Sequence, residues 1–461
     1  MTIWPPRAEE LRRPAYRSLA EKLVQAIEAG ELKSGDRLPT HRTLAAELGL
    51  SVQTVSRAYD DLVHQGLLIG QVGRGTYVRA APAETRTPYI QDKQDGGVID
   101  LSILKPVSTG MHRERLGQAL GALGADLPMT VVSSFRPSVA LNKYREPARG
   151  WLKLCGLEVD AERVLLTNGN TSAMTVALMT AANAGDLVVT EALSHHTLKA
   201  LASYLGLRLR GLAGDDEGIL PDALEQACAE EPVRALHIMP TGLNPTATTA
   251  GLERRRRLVA IARRHDLRII ENDAWGPLQP KRPPPLAALA PERSFYFTGF
   301  TKCLMPGLRI AYLVTPETFE QAAASRHLVT SWMATPLLAE IATRWLDDGT
   351  ARALLDWQRT ALGERNALAE RILADHQHAA SPYGMHVWMP LPQAWSEADF
   401  VAHARLQGVA IAPGSAFAVT DPSPPGVRIC LGAESLPALE RGLEIVARLA
   451  RSQPEPALLA I

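Results

Sequence analysis

Four cysteines in 461 residues (Cys155, Cys228, Cys303 and Cys430) are too few and too scattered for a disulfide framework, and none forms the CxxC pair of a zinc site. Net charge is absent as well. The 49 Lys and Arg balance 49 Asp and Glu, so no overall field draws the chain to nucleic acid or a membrane, and any basic footprint must be local. No stretch approaches the roughly 18 apolar residues of a membrane span, and the opening MTIWPPRAEELRRP lacks the apolar core of a signal peptide. The default setting is therefore cytoplasmic. Composition is otherwise ordinary, and 46% apolar with 21% charged residues excludes wholesale disorder. The length exceeds one core and suggests about two to four domains.

The first 80 residues have a clear local grammar. Leu19, Leu23 and Ile27, with Ala20 and Ala26, recur at helical spacing and stop at Gly30. Thr40 can cap a short helix, HRTLAAELG, and Ser51 can cap the next, VQTVSRAYDDLVHQG, only one residue beyond Gly49. Two helices joined so tightly have the shape of a helix-turn-helix, and LLI, a turn and TYV then make a small hairpin, or wing. Ser51, Gln53, Thr54, Ser56 and Arg57 crowd the start of the second helix with side chains suited to phosphates and base edges. Arg42 and Arg74 add charge. Residues 11–80 hold ten Lys/Arg against seven Asp/Glu, a net of +3 in a neutral protein.

Residues 81–97, APAETRTPYIQDKQDGG, are polar and contain Pro82, Pro88 and paired glycines, as expected of a linker. From 98 to 452, aliphatic runs such as RVLLTN (163–168), DLVVTEA (186–192), RALHIMP (234–240), LRIIEND (267–273), SFYFTGF (294–300) and RIAYLVTP (309–316) alternate with helical stretches. That alternation implies an α/β body with a mostly parallel sheet covered on both faces, its chemistry at the carboxyl ends of the strands. The arginine run 254–257 falls on a helix, where its charges fan out, and is expected to be a solvated face.

GELKSGDRLPTHRTLAAELGLSVQTVSRAYDDLVHQGLL…GRGTYV resembles the GntR-type winged helix throughout. The resemblance implies a double-stranded DNA operator as partner, met by Arg42, Ser51, Gln53, Thr54, Ser56, Arg57 and the wing pair Arg74-Gly75. Val52 departs from the arginine frequent in that family, so operator sequence does not follow. In the body, GFTKCLMPGLRIAY resembles the lysine signature of class I, fold-type-I aminotransferases, which end in a small C-terminal α+β domain. It implies that pyridoxal 5'-phosphate is held covalently by Lys302 and by Arg309 on its phosphate. LLTNGNTSAM resembles the phosphate loop, with Gly169, Asn170 and Thr171 at a helix N-terminus. MPTGLNPTATT nominates Asn244 for the phenolic oxygen, EALSHH places His195 over the ring, and VRICLGA nominates Arg428 for an α-carboxylate. Asn272, Asp273, Trp275 and Thr301 complete the implied cofactor shell. Head and body in this order resemble the MocR subfamily of GntR regulators over nearly the whole chain.

The departures are informative. In the END-A-W segment (271–275) neutral Asn272 occupies the place of the aspartate that pairs with the pyridine nitrogen. Trp275 replaces a tyrosine, and Asp273 points to the opposite strand face unless a bulge restores it. Phe135 replaces a tyrosine that crosses the dimer, Gly299 a phosphate-binding serine, and Ala247 the glycine of NPTG. Binding is expected to survive better than turnover. The expected protein is a homodimeric, cytoplasmic regulator sensing a small amine, an amino acid or the cofactor. An active aminotransferase with an appended head is the alternative, and an empty scaffold a third reading.

Overall fold

Apolar residues on one helical face and well-placed caps build the head. Leu19, Leu23 and Ala26 line the buried side of helix Ala15–Glu28. Thr40 Oγ1 accepts the Thr43 N–H at 3.2 Å to open helix His41–Leu48, and Gly49, at φ 61°, closes it. Ser51 Oγ accepts the Thr54 N–H at 3.1 Å and starts helix Val52–His64. Tyr59 locks the two together. Its hydroxyl donates to the Pro39 carbonyl at 3.0 Å and its ring meets His41 edge-on at 4.9 Å. Leu68–Gln71 and Gly75–Val78 pair antiparallel, Leu68 opposite Val78, to form the expected hairpin. The computed structural model describes residues 4–6, 10–28, 31–32, 36–64, 68–71, 75–78, 97–419 and 425–453. The expected linker lies outside these except for Gly97. The chain divides into two compact units, residues 1–87 and 88–461.

The body is built on a seven-stranded sheet ordered Val164–Thr167, Ala311–Val314, Ser294–Gly299, Arg268–Asn272, Val233–Ile238, Leu187–Glu191 and Arg208–Leu212. Ala311–Val314 runs antiparallel to both neighbours and the other pairs are parallel. Side chains alternate between faces along a strand. Ile270 thus packs with Val176, Ala177 and Phe297 on one face, while Ile269 packs with Leu258, Val259 and Ala262 on the other. Six strands match the aliphatic runs in the sequence. The seventh, Arg208–Leu212, is an edge strand whose RLRGL pattern is too polar to announce itself. A four-stranded antiparallel sheet, Ala379–Ala380, His386–Pro390, Gly426–Cys430 and Ala412–Pro413, forms the small C-terminal α+β domain with helices Glu397–Leu406 and Leu436–Arg451.

Helix Leu252–Arg264 corrects the solvated-face expectation for the arginine run. Arg256 is exposed, but Arg255 is fully buried and donates to the carbonyls of Ala250 (2.9 Å) and Pro240 (2.8 Å) and to Thr241 Oγ1 (2.9 Å). Its Nη1 stands 3.9 Å from a carboxylate oxygen of buried Glu271. Burial, helped by the nearby Asp273, raises Glu271 to about 7, and Arg255 pulls the other way. The guanidinium thus braces the loop that follows strand Val233–Ile238. Arg255→Met should destabilise the chain by about 3–5 kcal/mol in a urea titration, the usual cost of orphaning a buried charge. Arg256→Met should change it by less than ~0.5 kcal/mol.

Candidate functional site

Four parallel strands, Val164–Thr167, Leu187–Glu191, Arg268–Asn272 and Ser294–Gly299, deliver their carboxyl ends to one cleft, and Arg309 enters from just before the antiparallel strand Ala311–Val314. The cleft is lined by Asn170, Thr171, His195, Asn272, Trp275, Thr301, Lys302 and Arg309, with Met174, Ala274 and Phe297. Eight of the expected residues therefore meet.

At one end, Gly169 caps helix Asn170–Ala181 with φ 84°, a left-handed conformation that suits glycine. A Cβ at Gly169 would lie 2.8 Å from Arg309 Nη2. Arg309 itself is held at φ 40°, a strained setting for a side chain of its size. Two side-chain atoms of Asn170 and the Thr301 hydroxyl are buried without hydrogen-bond partners, as is Asn272 Oδ1. Buried polar atoms normally have partners. Together with the helix N-terminus and Arg309, these orphans form a cradle chemically suited to a phosphate and a polar ring. Gly299 explains a departure: a Cβ there would come within 2.6 Å of the Ile310 carbonyl and 2.8 Å of Asn170 Oδ1, so no serine fits. Ala247 keeps the left-handed turn of the glycine it replaces, at φ 61°.

Lys302 sits in the short helix Phe300–Cys303, directly after strand Ser294–Gly299, and donates to the Leu104 carbonyl. Burial, with Arg428 and Arg309 nearby, lowers its pKa to about 8. His195 is half-buried at the cleft wall. Burial and then the neighbouring His196, His237 and Lys302 hold its pKa well below the usual imidazole value, so the ring is neutral. Its Nδ1 pairs with the Thr197 hydroxyl at 2.8 Å and its ring stacks on His196.

Asp273 drops out of the implied cofactor shell, on the side that strand alternation expects. It is not on the cleft wall. No bulge intervenes, because Asp273 N–H continues the strand register by donating to Phe297 O at 3.0 Å. Its carboxylate instead takes Arg282 Nη1 at 2.6 Å and the Tyr296 hydroxyl at 2.5 Å. Burial, then Asp273's charge, pushes the Tyr296 phenol well up, which keeps it a donor. Trp275 lines the cleft through its ring, since its indole N–H is already given to the carbonyls of Thr241 (3.0 Å) and Gly242 (2.8 Å). It cannot donate as the replaced tyrosine would.

Asn244 and Arg428 form a separate buried pair, with Arg428 Nη1 donating to Asn244 Oδ1 at 2.9 Å. Arg428 Nη2 donates to the Ser102 carbonyl at 2.6 Å, and its guanidinium lies over the Phe417 ring at 4.6 Å. Nothing in the sequence signals the Ser102 and Leu104 contacts, which join residues more than 190 positions apart.

In the head, Arg42 and Gln53 are exposed, at the starts of the two short helices. Ser51 and Thr54 bond each other at 2.8 Å, Ser56 reaches Asp60 at 3.4 Å, and the Arg57 guanidinium stacks on Tyr16 at 4.1 Å. Arg74 lies outside the described residues. Gly75 is half-buried at φ 118°, and a Cβ there would meet Arg37 Nε at 3.0 Å, which brings an arginine without sequence prominence to the base of the wing. Among the described residues no helix is long and apolar enough to cross a membrane.

Fold and cleft define an aminotransferase-type body behind a winged-helix head. The chain belongs to the aminotransferase class I and II family, which matches residues 132–445, and residues 15–78 match the bacterial regulatory proteins of the gntR family. This is the MocR arrangement. The chain is 28% identical over 451 residues to the uncharacterized HTH-type transcriptional regulator YdeF of Bacillus subtilis, covering 97% of this chain and 96% of that one. It is 24% identical to the HTH-type pyridoxine biosynthesis transcriptional regulator PdxR of Corynebacterium glutamicum, over 77% of this chain and 78% of the other. The crystal structure of an archaeal alanine:glyoxylate aminotransferase shares the body's fold, with a TM-score of 0.71, 24% identity, and coverage of 78% of this chain and 92% of that one.

Because the neutral amine predominates above its pKa, Lys302 should react with aldehydes half-maximally near pH 8. Reductive methylation at this residue, followed by mass spectrometry across pH, reads that midpoint. A midpoint above about 10 would mean that Nζ is solvated in the resting protein.

Proposed function

We propose that this chain is a transcription regulator whose head binds a double-stranded operator and whose body binds pyridoxal phosphate with little or no turnover. The observation that carries the reading is the split at the end of strand Arg268–Asn272. Neutral Asn272 faces a cleft that keeps its lysine and phosphate cradle, while Asp273 is turned away into Arg282 and Tyr296. The orphaned polar atoms of Asn170 and Thr301, with Arg309 and the helix N-terminus, would hold the phosphate. Lys302 would hold the cofactor covalently and His195 would stack on it. When bound, the cofactor supplies an aldehyde for amines and a ring that can accept electrons from a substrate carbon.

That second capacity needs a cationic ring. A carboxylate facing the ring nitrogen stabilises the charge, whereas an amide does not, and such preorganised electrostatics usually dominate the barrier. The site therefore recognises a small amine, an amino acid or the cofactor itself, and reports it. The unpaired buried atoms weigh against an empty scaffold, since leaving them bare has no compensating gain. A cytoplasmic homodimer fits the reading. Met129, Val132, Phe135 and Val329 are all more than 60% exposed, and Phe135 packs on Trp332 at 4.8 Å, an apolar patch that a second copy would cover. Two heads then match a two-half-site operator.

The alternative reading, a working aminotransferase, rests on Lys302 in the cleft and on the Asn244–Arg428 pair. Steady-state keto-acid formation by the wild type, abolished in Lys302→Ala, would establish it. On the regulator reading, pyridoxal phosphate gives a Lys302-dependent visible band, and one amine shifts that band without releasing keto acid. Asn272→Asp should then raise keto-acid formation by about 10²-fold. Fluorescence anisotropy with DNA upstream of the chain's own gene should show binding that weakens with salt and responds to cofactor or amine. Operator affinity indifferent to both would falsify the sensor. Gly169→Ala should weaken pyridoxal phosphate binding by roughly 10–100-fold through displacement of Arg309.

A further inference from the structure

The segment that enters the body runs across two cations, Lys302 on the cleft wall and Arg428 of the neighbouring buried pair. Ile99 and Asp100 pair in parallel with Val409 and Ala410, Leu101 N–H donates to Ala410 O at 2.8 Å, and Cys430 N–H donates to Leu101 O at 2.7 Å. Asp100 Oδ1 takes both the N–H (2.9 Å) and the hydroxyl (2.6 Å) of Ser102, which fixes the turn. Beyond it, the Ser102 carbonyl is bound by Arg428 Nη2 and the Leu104 carbonyl by Lys302 Nζ. The next carbonyl, of Lys105, passes so close to Gly432 that a Cβ there would lie 2.0 Å away. One short strand of backbone therefore satisfies the amine that an aldehyde would claim and the guanidinium that a carboxylate would claim. Arg428 Nε has no hydrogen-bond partner among the described residues. A carboxylate bound side-on needs Nε together with Nη2, and Nη2 is taken by Ser102.

We propose that residues 101–106 form an internal strap held in the resting protein by Lys302 and Arg428, and that occupation of the site releases it. This rests on the regulator reading given above. The Lys302 ammonium gives one proton to solvent, and condensation of the neutral amine with an aldehyde then forms a carbon–nitrogen double bond, expels the aldehyde oxygen with the two amine hydrogens as one water and takes the ammonium away from Leu104. A carboxylate displaces the Ser102 carbonyl from Arg428. Cofactor alone frees one end of the strap, and an amino acid bound with it frees the other. The strap is separated from residues 81–97, which connect it in sequence to the head, only by the short paired strand Ile99–Asp100.

Hydrogen–deuterium exchange of the full chain tests this. With pyridoxal phosphate bound, as judged by the Lys302-dependent visible band, amide exchange in peptides covering 101–107 should rise by about threefold or more. Pyridoxamine phosphate, which lacks the aldehyde, should leave it unchanged. Arg428→Met should raise exchange at the Ser102 end without any ligand. A visible band with unchanged exchange overturns the strap and leaves the regulator reading standing. Absence of the band overturns both. An equal rise with pyridoxamine phosphate would show that filling the cleft, not capture of the lysine, moves the segment, and overturns the two-cation mechanism. Unchanged exchange in a folded Arg428→Met removes the arginine half, and the wild-type measurement decides the rest should that variant not fold.

Discussion

The ion pair between Asp273 and Arg282 sets what the cleft can do, although neither residue lines it. Both side chains are almost completely buried, at 0% and 7% exposure, and Arg282 Nη1 meets both carboxylate oxygens at 2.6 Å. Arg282 Nη2 continues to the Cys155 carbonyl at 2.6 Å, tying the end of helix Arg145–Leu154 to the end of the strand. Gly276 leaves room for the pair, since a Cβ would come within 2.1 Å of Asp273 Oδ1 and 2.0 Å of Arg282 Nη1. Breaking a buried pair by losing one partner costs about 3–5 kcal/mol. Asp273 is therefore not a spare carboxylate that a small backbone shift brings to the cofactor. Strand alternation does the rest: with Asp273 turned toward Arg282, the residue before it must face the cleft, and that residue is an amide.

On the proposed reading, this separates binding from turnover on physical grounds. A phosphate is held by a helix N-terminus, a guanidinium and hydroxyls, and an aldehyde by an amine with a lowered pKa. None of those depends on the ring nitrogen. Stabilising a carbanion does, because the charge develops only in the transition state and must be met by a cation already in place. On the proposed reading the cleft keeps the lysine, the guanidinium and the helix N-terminus of the first set, without the serine that Gly299 replaces, and has an amide at Asn272 where the second needs a carboxylate.

Local patterns were legible where one residue type decides the outcome. Helical periodicity and caps at Thr40, Gly49 and Ser51 marked the head, and aliphatic runs marked six strands of the body sheet. Motif spacing brought eight residues to one cleft. What escaped depends on partners distant in sequence. Arg255 looked like one charge in a run of four, yet it is buried because carbonyls of Pro240 and Ala250 and the hydroxyl of Thr241 surround it. Asp273 faced the expected side, but its partner Arg282 lies just before the proline run 283–285, with no periodic signal. Asn244 and Arg428 were each nominated alone, and their bond across 184 positions came only with the fold.

A sensor must bind its ligand differently in two states, because a ligand indifferent to them shifts nothing however tightly it binds. The Ser102 and Leu104 carbonyls supply a physical origin for such a difference. Each is held by a charge-assisted hydrogen bond in a buried setting, of a kind worth about 1.5–3 kcal/mol. Ligand and strap compete for the same two cations, so part of the ligand's own binding is spent on displacing backbone. That lowers affinity by an amount of the same order as the 1–3 kcal/mol typical of allosteric coupling. Reciprocity follows: whatever the head gains or loses on its operator when the strap is released must appear, with the same magnitude, in the affinity of the cleft for its ligand. An aminotransferase optimised for turnover has no use for such a competitor, because it weakens substrate and transition state alike. Retaining it makes sense where occupancy itself is the signal.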